Sequence, residues 1–503
     1  MELELNWERT KHYELLLDTH LSQEETQETI VPDAYPDILR IAEAGGQLCL
    51  TEKELQEGCV RTAGMVHGWL LYQPENGDTL CKIKFTIPFS SRIDVPGSTS
   101  DGRCIVHPVL CSMDARTLNP RKVLVRADIG LNICVYEPGE LSVCCGLECD
   151  TDIGMQQMIG EQRAYLNTAV KEKAFSVYEE VPTPAGLDKA AELLSARADV
   201  WCTEAKMIGN KLIFKGEAGI HVRYGSGGQV NAACIPISFS QIMEVDGAGE
   251  QEACRVSLYV TNLECVQAGE DGRMLNITLD LIGQAVVTDQ IPMVVLQDAY
   301  STKGELSVEV QNGSVTTLLD RYTKPQSMRE LLETEVQAKS VIDAAVHICG
   351  TSVTGTTAET RIQADILYMD ERDQVYHMSR IILASAQLDL PEGAQCRMSC
   401  SCPGEAFAAV AAGGIEVRFN LELSGCVIRK RPVLSVKNAR WTECGAETQC
   451  NRPSVVMRAA MPGECLWDIA KAYHTTTQRI CQANGIEQDG LLCGRMLLIP
   501  AGC

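Results

Sequence analysis

The chain has no run of about 18 apolar residues, so nothing in it reads as a membrane-spanning helix. Positive charge is short, with 44 Lys and Arg against 67 Asp and Glu and a formal net charge of −23. That balance argues against nucleic acid or an anionic lipid surface as partner, since both are polyanions. Residues 454–503 do not share the imbalance: Arg458, Lys471, Arg479 and Arg495 match Glu464, Asp468, Glu487 and Asp489. Histidine is scarce, at eight residues, and none of His12, His20, His107, His347, His377 or His474 has a carboxylate at a spacing that suggests acid–base work. G-x-S-x-G, H-E-x-x-H and Walker-type phosphate loops are missing. A non-enzymatic chain without cofactor is the expectation. The opening residues MELELNWERT offer no basic n-region, apolar h-region or cleavage site, so a chain that is not exported by a leader is expected.

Cysteine, by contrast, is plentiful, at 24 of 503 residues. In a chain that is not exported, reduced thiols acting as small buried hydrophobes are expected. Cys144, Cys145 and Cys149 form one cluster, and Cys396, Cys400 and Cys402 another. Neither has the second knuckle or neighbouring histidine that a zinc site uses, so no metal site is expected.

The length suggests three or four domains, and internal repetition supplies them. Gly64 precedes Tyr72 by eight residues, as Gly216 precedes Tyr224; Phe89 precedes Gly97 by eight, as Phe239 precedes Gly247. Turn chemistry lies between, at Pro74 to Asp78 and Gly225 to Gly228. A weaker third copy surrounds Tyr368, with Thr360 where the others have Gly and Leu388-Asp389-Leu390-Pro391 echoing Ile93-Asp94-Val95-Pro96. Each copy closes on an alternating stretch: Val123 to Tyr136, Met274 to Val287 and Ile415 to Ile428. The fold class expected is mostly β with some α elements: three repeated β-rich modules, sandwich or barrel, then a small βααβ domain. The expected limits are 1–150, 151–292, 300–441 and 452–503. Short helical stretches are expected at Pro36 to Ala44, Leu187 to Ala196 and Met328 to Val336, and a longer one at Gln156 to Lys173. Linkers are expected near 148–178, 292–326 and 442–453. Residues 1–30, with eight acidic groups and apolar anchors at Trp7, Tyr13, Leu15, Leu16 and Leu17, read as a helix or strand docked on the first module, or as a partner-binding arm.

Two strings carry a family resemblance. Val31 to Ile38 read VPDAYPDI, and with Gly64, Tyr72, Ile87-Pro88-Phe89-Ser90 and Val95-Pro96-Gly97 they resemble the SPOCS domain, a spore-coat assembly module. A degenerate opening recurs at Val181-Pro182. Near the C-terminus, PGECLWDIAKAY ending at Tyr473, TTTQRICQANGI ending at Ile486 and RMLLIP ending at Pro500 resemble a LysM module. Leu466, Ile469, Ala470 and Tyr473 make a helical stripe, Thr475 or Thr476 can cap a second helix, and Asn484-Gly485 suits its end. The resemblance implies a scaffold of spore-coat assembly, made in the mother cell and placed at the forespore surface. It implies a partner that is peptidoglycan, another N-acetylglucosamine glycan, or a coat basement-layer protein such as the layer's ATPase. In LysM modules the ligand lies between two loops, which maps onto Gly463, Glu464, Cys465 and Leu466 on one side and Asn484, Gly485 and Ile486 on the other. Cys465 departs from the polar residue usual there. Two rival readings are a peptidoglycan-binding tail or baseplate protein of a phage-like particle, and a wall hydrolase.

Overall fold

A computed structural model describes residues 3–77, 79–184, 192–226, 229–245, 253–269, 272–443, 453–486 and 494–500. Long alternating sequences fold into long strands. The first block holds β1 (Leu3–Ile30), β2 (Ile38–Gln56), β3 (Cys59–Pro74), β4 (Cys81–Asp94), β5 (Arg103–Asn119) and β6 (Lys122–Cys149). The same order returns as β7 (Met155–Pro182), β8 (Glu192–Ile208), β9 (Lys211–Ser226), β10 (Gln229–Glu244), β11 (Ala253–Ala268) and β12 (Met274–Ser301). The third block runs β13 (Gly304–Leu332), β14 (Ala338–Thr354), β15 (Thr357–Asp370), β16 (Val375–Gln387) and β19 (Gly414–Glu443). Two short strands, β17 (Gln395–Ser401) and β18 (Phe407–Ala411), pair with β19 where β5 and β11 pair with β6 and β12. A ribbon of β20 (Val455–Ala459) and β21 (Met496–Pro500) encloses helices α1 (Leu466–Ala472) and α2 (Thr477–Asn484) at the C-terminus.

In every block the first strand pairs antiparallel with the last along its whole length: Leu3 faces Cys149, Met155 faces Ser301, and Gly304 faces Glu443. The three middle strands form a separate meander sheet. The two sheets pack face to face, a sandwich rather than a closed barrel. In the first block Leu70 and Ile87 of the meander bury against Val125, Ile129 and Leu131 of β6. The repeated glycines explain themselves here. Gly64 pairs with Phe89 and Gly216 with Phe239, and a Cβ on either glycine would lie 2.6 or 2.5 Å from the ring. In the third block Thr360 pairs with Ala384, so the bulk has changed strands. Tyr72, Tyr224 and Tyr368 are all buried.

The long strands carry β-bulges, and the bulges repeat with the blocks. Cys145, Gln297 and Lys437 are the extra residues on β6, β12 and β19, spaced 152 and then 140 residues. Leu16, Thr168 and Leu319 are extra on β1, β7 and β13. A bulge bends its strand and raises the local twist. Beyond the bulges the three hairpins converge: Val143, Leu166, Met293, Val295, Val315 and Val433 form one shared core, and Cys144, Leu147, Leu296, Ala299, Leu306 and Val436 another.

Several expected elements are corrected. Gln156 to Lys173 is strand, inside β7, not helix. Ile38 to Ala44 begins β2, 192–196 begins β8, and Met328 to Leu332 ends β13, so none of the three short helical stretches is helical where described; 187–191 lie outside the described residues. The linkers expected at 148–178 and 292–326 are long strands of the hairpins, and 292 and 300, placed as module limits, both lie within β12. Most of 442–453, with Asp78, Gly227, Gly228 and Gly247, is outside the described residues. The Leu388 echo is two places out: Leu388 N–H bonds the turn carbonyl of Thr356 as Val95 N–H bonds that of Gly58. Residues 3–30 are the docked strand β1.

Candidate functional site

The C-terminal unit assembles as βααβ. Cys465 caps α1 from an extended backbone: its N–H and its Sγ both reach Asp468 Oδ2, at 3.4 and 2.9 Å. Thr476 caps α2 by accepting from Arg479 N–H at 3.2 Å, while Thr475 is buried. Gly485 ends α2 in the left-handed region at φ 59°, where glycine is favoured. Leu466, Ile469 and Ala470 are buried with Ile480, Leu497 and Ile499.

The seven candidate ligand-binding residues divide by role. Glu464 is folded inward on Arg458 and accepts from Met461 N–H at 2.9 Å. Those contacts, the backbone bond first, hold its carboxyl below the usual carboxylate range. Asn484 has both ends of its amide engaged, donating to the Ile480 and Leu498 carbonyls at 2.8 and 2.7 Å and accepting from Leu498 N–H at 2.8 Å. Leu466 is core and Ile486 half-buried. Gly463 and Cys465 remain exposed, as does Gly485. The two loops meet one ribbon a residue apart, because Arg458 neighbours Met457 and Met457 faces Leu498. Between these loops Gly463, Cys465 and Gly485 are exposed, while Glu464 and Asn484 are half-buried with their polar atoms already engaged within the unit. The outer ribbon face is apolar: Val455, Met457, Met496 and Leu498 are exposed, beside exposed Met461.

This unit is clamped to the second block. Asp298, which follows the Gln297 bulge, accepts from Trp467 Nε1 at 2.7 Å and from Lys471 Nζ at 2.7 Å. Tyr300 packs edge-on against Trp467, is buried in the unit's own core, and donates to Thr475 O at 2.8 Å. Burial pushes its hydroxyl up to about 12. His474 Nδ1 lies 3.1 Å from Ser301 O. Nothing in the local sequence near 298 signals this; it appears only when β12 and α1 meet.

Comparison with known families accounts for these units. The SipL, SPOCS domain family model matches residues 37–118 and 189–267, the stretches from β2 to β5 and from β8 to β11. The LysM domain model matches residues 462–500. The chain carries SPOCS and LysM domains. No curated protein and no solved structure matches it. SPOCS and LysM are binding domains rather than catalytic ones, and together they mark a sporulation-related chain with a peptidoglycan-binding type of module.

Where the SPOCS meanders and the third block's meander face one another lies a cavity of about 650 Å³. Its wall holds ionisable groups that are far apart in the sequence. Arg223 pairs with Glu43 and, at 2.8 Å, with Asp343. Asp199 lies between His221 at 3.2 Å and His347 at 3.7 Å, and Asp365 faces His377 at 3.5 Å. Burial raises the Asp365 carboxyl, but the His377 hydrogen bond and charge reverse this and bring it to about 2. Glu43 Oε2, Trp69 Nε1 and Arg197 Nε have no hydrogen-bond partner among the described residues, so the cavity is suited to water or a small polar guest. These histidine–carboxylate pairs escaped sequence reasoning because no local spacing encodes contacts between blocks. His67 and His221 occupy different places, facing Gln47 and Arg197.

Proposed function

We propose that the chain is a non-enzymatic scaffold of spore-envelope assembly. It holds coat components at the forespore surface, from the mother-cell side, through its β modules and its LysM domain. The third block is read as a divergent SPOCS module, because its strand order and bulges follow those of the two matched ones. The observation that carries the proposal is the clamp of the LysM domain on Asp298 and Tyr300. A module fixed to its neighbour, rather than tethered by a linker, presents its loops and the platform together. Several weak sites on one rigid chain give avidity without a strong single contact.

For the LysM domain the favoured partner is a basement-layer coat protein. The exposed Val455, Met457, Met461, Met496 and Leu498 support protein contact, and the internal engagement of Glu464 and Asn484 leaves few side chains for sugar hydroxyls. Binding of an N-acetylglucosamine glycan through the exposed backbone of Gly463, Cys465 and Gly485 is the second reading. A fluorescent fusion imaged in sporulating cells tests the scaffold proposal: a ring at the forespore is expected, and uniform fluorescence throughout would refute it. Titration of the full chain with chitin oligomers separates the two partners, since a sugar-binding LysM will give saturable heat and a protein-docking one none.

A further inference from the structure

The VPDAYPDI string at 31–38 folds as a tip at the far end of the first hairpin, away from the region where the three hairpins converge. Arg121, in the turn between β5 and β6, is its hub. The guanidinium donates to the carbonyls of Val31, Pro32 and Tyr35 at 3.2, 3.1 and 3.3 Å, and to Asp37 Oδ1 at 2.6 Å. Tyr72 Oη donates to the Pro36 carbonyl at 2.9 Å. Val31 N–H and Ile38 N–H bond the carbonyls of Arg121 and Pro120, each at 2.9 Å. Around this pinned turn Ile30, Tyr35, Leu39 and Leu118 are all exposed, by 69, 40, 59 and 45%. Leu39 and Leu118 are the extra residues of bulges on β2 and β5, and a bulge re-aims the side chain it carries. Asp33 has a fully exposed carboxylate whose one ion pair among the described residues is a 3.5 Å contact with Arg121. An apolar surface rimmed by charge and held in one shape marks a protein contact.

The same chain carries a surface of opposite charge. Residues 429–440 read RKRPVLSVKNAR, with five bases and no acid. The bulges at Cys145, Gln297 and Lys437 align this run with 137–148 and 289–300, which hold three and two acids and no base. The third hairpin has therefore changed sign where the other two have not. Lys430, Arg431 and Arg440 are exposed, and their side chains form no ion pair or hydrogen bond among the described residues. Lys437 has only Glu309, at 3.8 Å. Lys430, Pro432 and Leu434 lie on one face of β19, opposite Thr316, Ser314 and Asn312, and Leu434 is 49% exposed. β17 ends its pairing at Ile428, so from Arg429 onward β19 pairs with β13 alone.

We propose that the tip of one chain docks on the third hairpin of a second copy. Tyr35 and Leu39 cover Leu434, and Asp33 meets Lys430 and Arg431. Charge complementarity selects this occupant: the tip offers a free acid beside apolar side chains, and the hairpin offers free bases beside one. Two chains of net charge −23 repel at long range. At physiological ionic strength that repulsion is screened beyond about 8 Å, so the charges in contact decide. The two surfaces differ, so the contact is head to tail. Each pair leaves one tip and one hairpin unfilled, and copies add into open chains rather than a closed dimer. The proposal stands apart from the forespore placement, which a monomer satisfies equally well.

The test is sedimentation velocity of the full chain under reducing conditions, over a concentration series at about 0.15 M and about 1 M salt. Growth with concentration at the lower salt, reversed at the higher, is expected. Asp33→Arg should weaken association about tenfold or more, and so should Lys430→Glu with Arg431→Glu. All three changes in one chain should restore it. Tyr35→Ser should weaken it too, since that residue holds the tip through its backbone. A monomer at every concentration overturns the proposal. So does association that ignores these changes, or that rises when Lys430 and Arg431 are reversed, which would make the bases a guard against strand pairing. A carbodiimide cross-link between Asp33 and Lys430, read by mass spectrometry on a mixture of light and 15N-labelled native chains, decides the matter where a variant folds poorly. Mixed-isotope pairs support the contact, and their absence from cross-linked oligomers overturns it.

Discussion

At the residue scale, the pairing of Gly216 with Phe239 sets a strict volume rule. Phe239→Ala should cost about 3–5 kcal/mol, as for a core aromatic. Gly216→Ala should cost about 1–3 kcal/mol, because its Cβ would sit 2.5 Å from the ring and 2.8 Å from the Trp201 carbonyl. The two changes together should cost less than their sum, by on the order of 1 kcal/mol, since the ring half of the clash is then gone. Denaturant melts of the two single variants and the double variant check this; strict additivity would mean the ring and the glycine do not compete for one space. Cys465 offers a second test. A threonine there keeps the extended cap backbone and supplies a better acceptor for the α1 amides, so Cys465→Thr should stabilise the LysM domain by about 0.5–1 kcal/mol. It should leave chitin-oligomer binding equal or stronger and weaken any coat-protein contact. Calorimetry on the two forms reads both effects, and glycan binding that is tight in the native chain and lost in the variant would count against the groove as drawn.

At the scale of elements, the clamp between α1 and β12 concentrates on Asp298. Asp298→Ala removes the acceptor of Trp467 and the partner of Lys471, and should free the LysM domain to melt apart from the rest. Limited proteolysis should then cut ahead of residue 455 faster than in the native chain; an unchanged rate would show that the Tyr300 and His474 contacts hold the joint without Asp298. This joint was illegible in the sequence, because it depends on a bulge at Gln297 that no turn residue announces. Bulges explain the misread helices too. Thr168 is extra on β7, so buried Leu166, Ala169 and Val170 fall at i, i+3 and i+4, which is a helical signature written by a strand. Ala42, extra on β2, disturbs the alternation of the Ile38 stretch in the same way. What was legible rested on short-range chemistry: the alternation that starts at Ile415 and holds in the strand as far as Leu423, the Gly–Phe spacing, and the stripe and end of the LysM helices. Of the candidate groove, the loops were legible, but the inward turn of Glu464 and Asn484 was not, since their partners Arg458 and Leu498 carry no mark of that role.

At the scale of the whole molecule, repeated blocks need something that keeps them from exchanging places. Arg223 occupies the position held by Leu71 and Leu367 in the other two meanders, and its acids, Glu43 and Asp343, lie where the second block has Ser195. Arg223→Leu restores the symmetry but strands two buried carboxylates, and should destabilise by about 3–5 kcal/mol. Adding Glu43→Ser and Asp343→Ser should recover much of that, read as the return of the thermal midpoint; no recovery would make the arginine's packing, not its charge, the important term. Acid will act on the same region. Asp365 titrates near 2 when folded, against about 3.9 unfolded, so it contributes stability above pH ~4 that is lost as pH falls toward 2. His377→Asn should shrink that acid-induced loss, and a pH series of denaturant midpoints measures it. The pairing of each block's first strand with its last also sets a timetable. Leu3 waits for Cys149 and Ile30 for Lys122, so β1 leaves the ribosome long before its partner is made. At roughly 5–20 residues per second the wait is on the order of ten seconds. Nascent chains halted before residue 122 will therefore carry a 28-residue strand with open edges, and will aggregate or engage a chaperone. Chains halted once residue 150 is free of the exit tunnel will be protease-resistant. For the first block, birth order rather than packing is the hazard.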